Sequence, residues 1–166
     1  EIGMITYYLE MTNREQLQVR GETVRDLDIR ECVICQPKLN RFLYEYVGKK
    51  WQWCDKLSWS SSQWQNYVCD ENLRTFLALK QGAIAGYYEL QYQPGDNVEI
   101  AYFGLAPEFI NQGYGGFLLT QALQNAWNWH SCQRVWVHTC TNDHPQALRN
   151  YLKSGFAVYC TEEIPN

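Results

Sequence analysis

Apolar and polar positions change period several times along the chain, and each change marks an element. Ile5 to Met11 (ITYYLEM) mixes β-branched and aromatic residues and predicts a first strand. Between Asn13 and Ile34 the pattern is ambiguous, with Val24 to Val33 readable as another strand. From Pro37 the period becomes helical: Leu39, Phe42, Leu43, Tyr46 and Val47 share one face, with Pro37 near the start and Gly48 after the end. Ser60 to Ser62 can cap a second helix through Tyr67. Arg74 to Lys80 and Ala83 to Leu90 are apolar runs separated by Gln81-Gly82, a hairpin signal. The turn Pro94-Gly95-Asp96-Asn97 leads into a long strand, Val98 to Leu105. Gly113 to Trp127 is helical, with Phe117, Leu118, Ala122, Leu123 and Ala126 on one face. Arg134 to His138 reads as a short buried strand, Pro145 to Ser154 as a helix capped by Gly155, and Phe156 to Cys160 as a last strand. Strands first, then strand–helix–strand–helix–strand, predict a mixed α/β fold with some parallel pairing.

Composition narrows this. With 166 residues, 46% of them apolar and 15% aromatic, the chain can bury a core and is not disordered. No repeat, low-complexity tract or linker divides it, so one domain over residues 1–166 is expected. Fourteen basic residues against eighteen acidic give a net charge of −4, and the densest basic spot is Lys49-Lys50. Nucleic acid is therefore not an expected partner. No apolar stretch approaches the roughly 18 residues of a membrane span, and the start of the chain lacks a secretory leader's layout. A cytoplasmic protein without membrane contact is the expectation. Seven cysteines (32, 35, 54, 69, 132, 140 and 160) are odd in number and scattered. They do not read as a disulfide framework but as small apolar fillers. Cys32 and Cys35 form a lone C-x-x-C; without a second pair, and pointing to opposite faces if on a strand, they do not suggest a metal site.

The informative stretch is Glu99 to Phe117, a strand, the loop PEFINQGYGG and an amphipathic helix. Gly113 and Gly115 sit where the loop enters the helix. Glycines there let backbone N–H groups close on a phosphate, and the helix start favours negative charge. The same glycines also suit an ordinary loop needing positive φ. The spacing is neither that of a P-loop nor of a dinucleotide fingerprint.

Ile110-Asn111-Gln112-Gly113-Tyr114-Gly115 resembles the Arg/Gln-x-x-Gly-x-Gly/Ala pyrophosphate loop of the GNAT superfamily of acyl-CoA-dependent N-acetyltransferases, with Ile110 departing from the first position. The preceding VEIAYFGLAP resembles that family's fourth strand, where a bulge frees backbone for the pantetheine arm. A second stretch, His144 to Phe156, is similar to its Asn-x-x-Ala-x-x-x-Tyr-x-x-x-Gly-Phe, matching at Ala147, Tyr151, Gly155 and Phe156, with His144 in place of Asn.

The resemblance, carried by residues 98–117 and 144–156, implies a GNAT fold. That is a twisted mixed sheet of six to seven strands, splayed at the fourth and flanked by about four helices. It implies acetyl-CoA as co-substrate, held by Phe103, Gly104, Leu105, Ile110, Asn111, Gln112, Gly113, Tyr114, Gly115, Gly116 and His144, and no metal. It implies direct acetyl transfer to a primary amine of a small molecule or peptide, and it allows a homodimer. The rival reading is a degenerate domain that binds acyl-CoA as a sensor, motivated by Ile110 and His144.

Transfer needs a deprotonated amine and a protonated leaving thiolate. Tyr151 aligns with the family's general acid and Glu99 with its general base, and His138 is a second base candidate. Strict alternation along VEIAYFGL would put Glu99, Ala101 and Phe103 on one face, and Ile100, Tyr102 and Gly104 on the other. Trp51, Trp53 and Trp59 lie in a segment that forms one wall of the acceptor site in this family. Their rings suit either core packing or a cation–π wall for a cationic amine. The chain stops soon after Phe156 to Cys160, where many relatives have another strand.

Overall fold

The computed structural model describes residues 2–24 and 26–165. Seven strands form one sheet: β1 (Ile2–Met11), β2 (Asp28–Glu31), β3 (Leu73–Lys80), β4 (Ala83–Gln93), β5 (Asn97–Leu105), β6 (Arg134–Cys140) and β7 (Ala157–Pro165). Their order across the sheet is β2-β3-β4-β5-β6-β1-β7. All neighbours are antiparallel except β5 and β6, which run parallel. Four helices flank it: α1 (Pro37–Gly48), α2 (Ser61–Val68), α3 (Gly115–Trp127) and α4 (Ala147–Lys153). This is the expected mixed α/β sheet with four helices; its parting falls at the fifth strand of the chain, because the ambiguous stretch after Asn13 contributes the short β2.

Each helix follows its local chemistry. Pro37 sits in the first turn of α1, where its missing N–H costs nothing. Ser60 caps α2 in a capping box, its hydroxyl accepting from the Gln63 N–H while Gln63 Oε1 accepts from the Ser60 N–H. The two helices pack Leu43, Tyr44, Val47, Trp64 and Val68 over β3 to β5. On the other face, α3 buries Leu118, Leu119, Ala122, Leu123 and Ala126 against the main core, with Leu9, Met11, Ile100, Val135 and Val137. Burying each of these leucines contributes roughly 2 kcal/mol.

One feature was left open by the sequence, and one contradicts its expectation. β1 lies between β6 and β7, pairing Thr6 to Met11 with one and Ile2 to Glu10 with the other. The last strand thus has a neighbour from this chain's own N-terminal segment. Cys35 and Cys69 form a disulfide with Cα atoms 5.4 Å apart, where free thiols were expected. Cys35 lies just before α1 and Cys69 just after α2, so packing of the two helices brings together thiols 34 positions apart. Cys32, beyond the end of β2, is a free thiol. Among the described residues no helix is long and apolar enough to cross a membrane, and no cluster of side chains could hold a metal ion.

Candidate functional site

β5 pairs with β6 only through Asn97, Val98 and Glu99. Beyond Glu99 the two strands part, while β5 stays paired with β4 as far as Leu105. The β6-facing edge of residues 100–105 therefore has no ladder partner, and a cleft of about 1200 Å³ opens along it. The β4 register steps from Glu89–Tyr102 to Leu90–Ile100, leaving Ala101 as a bulge. This corrects the alternation drawn from sequence. Tyr102 and Gly104 face α1 and the Trp segment, as Glu99 does, whereas Ile100, Phe103 and Leu105 pack in the core beneath α3. Gly104 is required there: a Cβ would stand 2.5 Å from Val47 Cγ1 of α1.

One end of the cleft is made by the loop before α3. Asn111 and Gly113 both have positive φ, 63° and 87°, which turns successive backbone N–H groups to one side. No side chain caps α3 and its first turn holds no acidic residue, so its first N–H groups lack an acidic partner. Ile110, Asn111, Gly113, Gly115 and Gly116 border the cleft; the side chains of Gln112 and Tyr114 do not. Gln112 Nε2 donates to the Glu108 carbonyl, and the Tyr114 ring is buried with its hydroxyl against Lys80 Nζ.

Sequence reasoning missed Arg20. It follows β1 in an irregular stretch, and its guanidinium lies so close to Gly116 that a Cβ there would meet Cζ at 2.9 Å. It is held by donating to the Asn150 carbonyl and side-chain oxygen and to Ser154 Oγ. Burial lowers its pKa, and no carboxylate pairs with it among the described residues. A partly desolvated cation at the positive end of α3 suits an anion bound between them.

Near the parting of the strands, His138 Nε2 stands 3.8 Å from Glu99 Oε2. His138 is exposed and borders the cleft, while Glu99 stands behind it, 13% exposed. Burial pushes the Glu99 carboxyl up, opposed by the His138 charge, a hydrogen bond from Gln93 Nε2 and the Lys56 ammonium. Sequence put Glu99 and His138 forward as alternatives; the structure joins them.

Tyr151 on α4 is 6% exposed, packed on Phe103 and Phe156, and borders the same cleft. Burial, with Asp143 adding to it, raises the phenol well above its usual range, so it keeps its proton. Burial and then Asp143 also raise the Cys140 thiol, which gives no thiolate nucleophile. His144 Nδ1 accepts from the Gln146 N–H at the start of the α4 turn, as a capping group does.

The aromatic segment after α1 divides. Trp51 and Trp53 border the cleft; Trp59 does not, but packs on Trp64 and Tyr67. Two contacts tie this segment to the turn after β6: Trp53 Nε1 donates to Asp143 Oδ1 at 3.2 Å, and Trp51 meets the His144 ring edge-on. Asp143 in turn accepts from the Thr139 hydroxyl and the Cys140 N–H. From β1 and β7, Tyr8 and Glu162 complete this end, the Tyr8 hydroxyl donating to Glu162. Asp143, Tyr8 and Glu162 had no local sequence signal, because β1, β7 and the Trp segment meet only in the folded sheet.

Comparison with known proteins agrees with this fold. The family model described as Acetyltransferase (GNAT) family matches residues 39–156, more than two thirds of the chain. No curated protein sequence matches it. Among solved structures, a GCN5-related N-acetyltransferase from Kribbella flavida has TM-score 0.67 and 16% identity, covering 97% of this chain and 58% of that one. Another from Sphaerobacter thermophilus has TM-score 0.68 and 15% identity, covering 100% and 53%. An aminoglycoside acetyltransferase from an uncultured soil metagenomic sample, in complex with trehalose, has TM-score 0.57 and 21% identity, covering 78% and 87%. The chain spans little more than half the length of the first two. At such identities the likeness is one of fold, while the family model rests on the sequence itself. With its strands parted beside a glycine loop and the family pattern matched across both motifs, the chain belongs to the GNAT acetyltransferase family.

Proposed function

We propose that the protein transfers an acetyl group from acetyl-CoA directly to a primary amine. The observation that carries this is a single cleft bordered by the Gly113–Gly116 loop, the free edge of β5, Tyr151 and His138, with Glu99 behind His138. The charge at its two ends suits two different ligands. Arg20, Arg149 and Lys153 border it together with the glycine loop, whereas Glu45, Asp55, Asp143 and Glu162, against one cation, Lys49, border it together with Trp51 and Trp53. The first set fits phosphates, the second a cationic amine.

The residues present fit acetyl-CoA. Backbone N–H groups of Asn111 to Gly116, with Arg20 in place of the side chain Ile110 lacks, would hold the pyrophosphate, and the edge of residues 103–105 would pair with the pantetheine. When bound, acetyl-CoA supplies the thioester carbon that the amine attacks. His138 takes the amine proton, and Glu99 behind it stabilises the imidazolium that results. Tyr151, kept protonated by burial, gives its proton to the departing sulfur.

Calorimetry should show 1:1 binding of acetyl-CoA, weakened about tenfold in Arg20→Gln, as loss of one charge-assisted hydrogen bond implies. Release of CoA in the presence of a panel of primary amines tests the chemistry. Absence of acetyl-CoA binding overturns the reading. Binding without CoA release from any amine would favour the sensor alternative.

A further inference from the structure

Trp51, Trp53, Asp55 and Leu57 border the cleft from the segment between α1 and α2, a short 3-10 helix at Lys49–Trp51 followed by turns. The Lys56 side chain leaves this wall in another direction. Its Nζ lies 4.3 Å from the ring centre of Trp59, 4.8 Å from that of Tyr67 and 5.0 Å from that of Tyr102. Its backbone N–H donates to the Tyr44 hydroxyl at 3.1 Å. Each of the four partners comes from a different place: α1, the segment itself, α2 and β5.

Near this cage is a carboxylate that no part of the proposed chemistry uses. Glu89 of β4 is 1% exposed and accepts from the Tyr67 hydroxyl at 2.6 Å and from Asn40 Nδ2 at 2.9 Å. Both donors are neutral, and among the described residues Lys56 is the cation that acts on it. A buried carboxylate is costly to keep charged without such a cation. Lys56 also acts on Glu99, though less than on Glu89.

We propose that Lys56 is the positioning residue of the amine site: caged by Trp59, Tyr67 and Tyr102 near Glu89, its ammonium pins residues 51–59 to the sheet and sets positive charge beside the Glu99–His138 pair. What the wall and the pair are used for rests on the acetyl-transfer reading; the anchoring does not. The groups that face Lys56 are Asp55 on its own segment, Glu89 on β4, Glu99 and Tyr102 on β5, Tyr67 on α2 and Tyr44 on α1. Glu99 faces in addition His138 on β6 and the Gln93 amide on β4. Removing a positive charge from this set makes the Glu99 carboxyl hold its proton to higher pH. Because Glu99 and His138 interact, the pair is read as a unit.

The test uses the full chain with Lys56→Met, which keeps length without charge, and Lys56→Arg, which restores charge. Carboxyl-carbon NMR should show Glu99 titrating about half a pH unit higher or more in Lys56→Met and returning in Lys56→Arg. Acrylamide quenching of tryptophan fluorescence should rise in Lys56→Met as the segment detaches. If Lys56→Met does not fold, Trp59→Leu, which opens the cage and keeps the charge, should move the titration in the same direction. An unchanged Glu99 titration, or failure of Lys56→Arg to restore it, overturns the proposal. Neither measurement needs turnover, so a protein that releases no CoA ends the acetyl-transfer reading without deciding this one.

Discussion

In the proposed transfer, Glu99 and Tyr151 reach the chemistry by different physical routes. Glu99 acts through a neighbour: it lies behind His138, and the pair offers a proton acceptor only when it is unprotonated. The rate therefore rises with pH through the titration of the pair, and Glu99→Gln should displace that limb of the kcat/KM profile as well as lower its plateau. In the same reading Tyr151 is the proton donor, and burial keeps it protonated until the transfer. Tyr151→Phe should lower kcat by about 100-fold or more while leaving acetyl-CoA affinity, measured by calorimetry, unchanged. If acetyl-CoA binding falls as far as kcat does, the ring is a packing element and the acid lies elsewhere. Both residues stood out in the sequence because their types and motif positions carry chemistry. Arg20, Lys56, Glu89 and Asp143 did not, because each matters only through partners distant in the chain.

Among the elements, β5 shows most clearly what local pattern cannot see. Its residues alternate as a strand should, but the extra residue at Ala101 reverses which side chains face the Trp segment from that point on. That step puts Tyr102 on the same side as Glu99 and leaves Phe103 beneath Tyr151. α2 is the opposite case, an element written in its own sequence. It is only eight residues long and begins on a capping box, yet it supplies the Tyr67 that holds Glu89. Ser60→Ala should lower stability by about 1 kcal/mol, read from urea unfolding with an unchanged slope. A change below a few tenths of that would mean that packing of Trp64 and Val68, with the Cys35–Cys69 bond, holds the helix without its cap.

At the scale of the molecule, two half-sheets meet along β5 and β6 and part above Glu99, and the charge buried beside that junction makes stability depend on pH. Burial raises the Glu89 carboxyl above its ordinary value despite the Tyr67 and Asn40 hydrogen bonds. The folded protein then binds this proton more tightly than the unfolded chain. Stability from this group grows as pH falls from neutral toward the ordinary carboxylate value, and is lost as pH rises through the folded one. In Glu89→Gln the side-chain oxygen can still accept from Asn40 and the amide can donate to the Tyr67 oxygen, but the titration is gone. Thermal melts should show the wild type gaining in Tm between neutral and mildly acidic pH relative to Glu89→Gln. Parallel profiles would mean that Glu89 has the same proton affinity folded and unfolded.

The order of elements, most of their bounds and the glycine loop before α3 were determined by the sequence by itself, because periodicity, capping and turn chemistry are local and leave their mark within a few residues. The two motifs that carry the family were legible for the same reason. The tertiary structure alone decided which side of β5 faces the Trp segment, that β1 sits between β6 and β7, that Cys35 meets Cys69, and that Arg20 and Lys56 reach the places where charge is needed. These depend on register, strand order and helix packing over separations of tens of residues. No local preference encodes them, because their free energy comes from contacts that exist only once the sheet has closed.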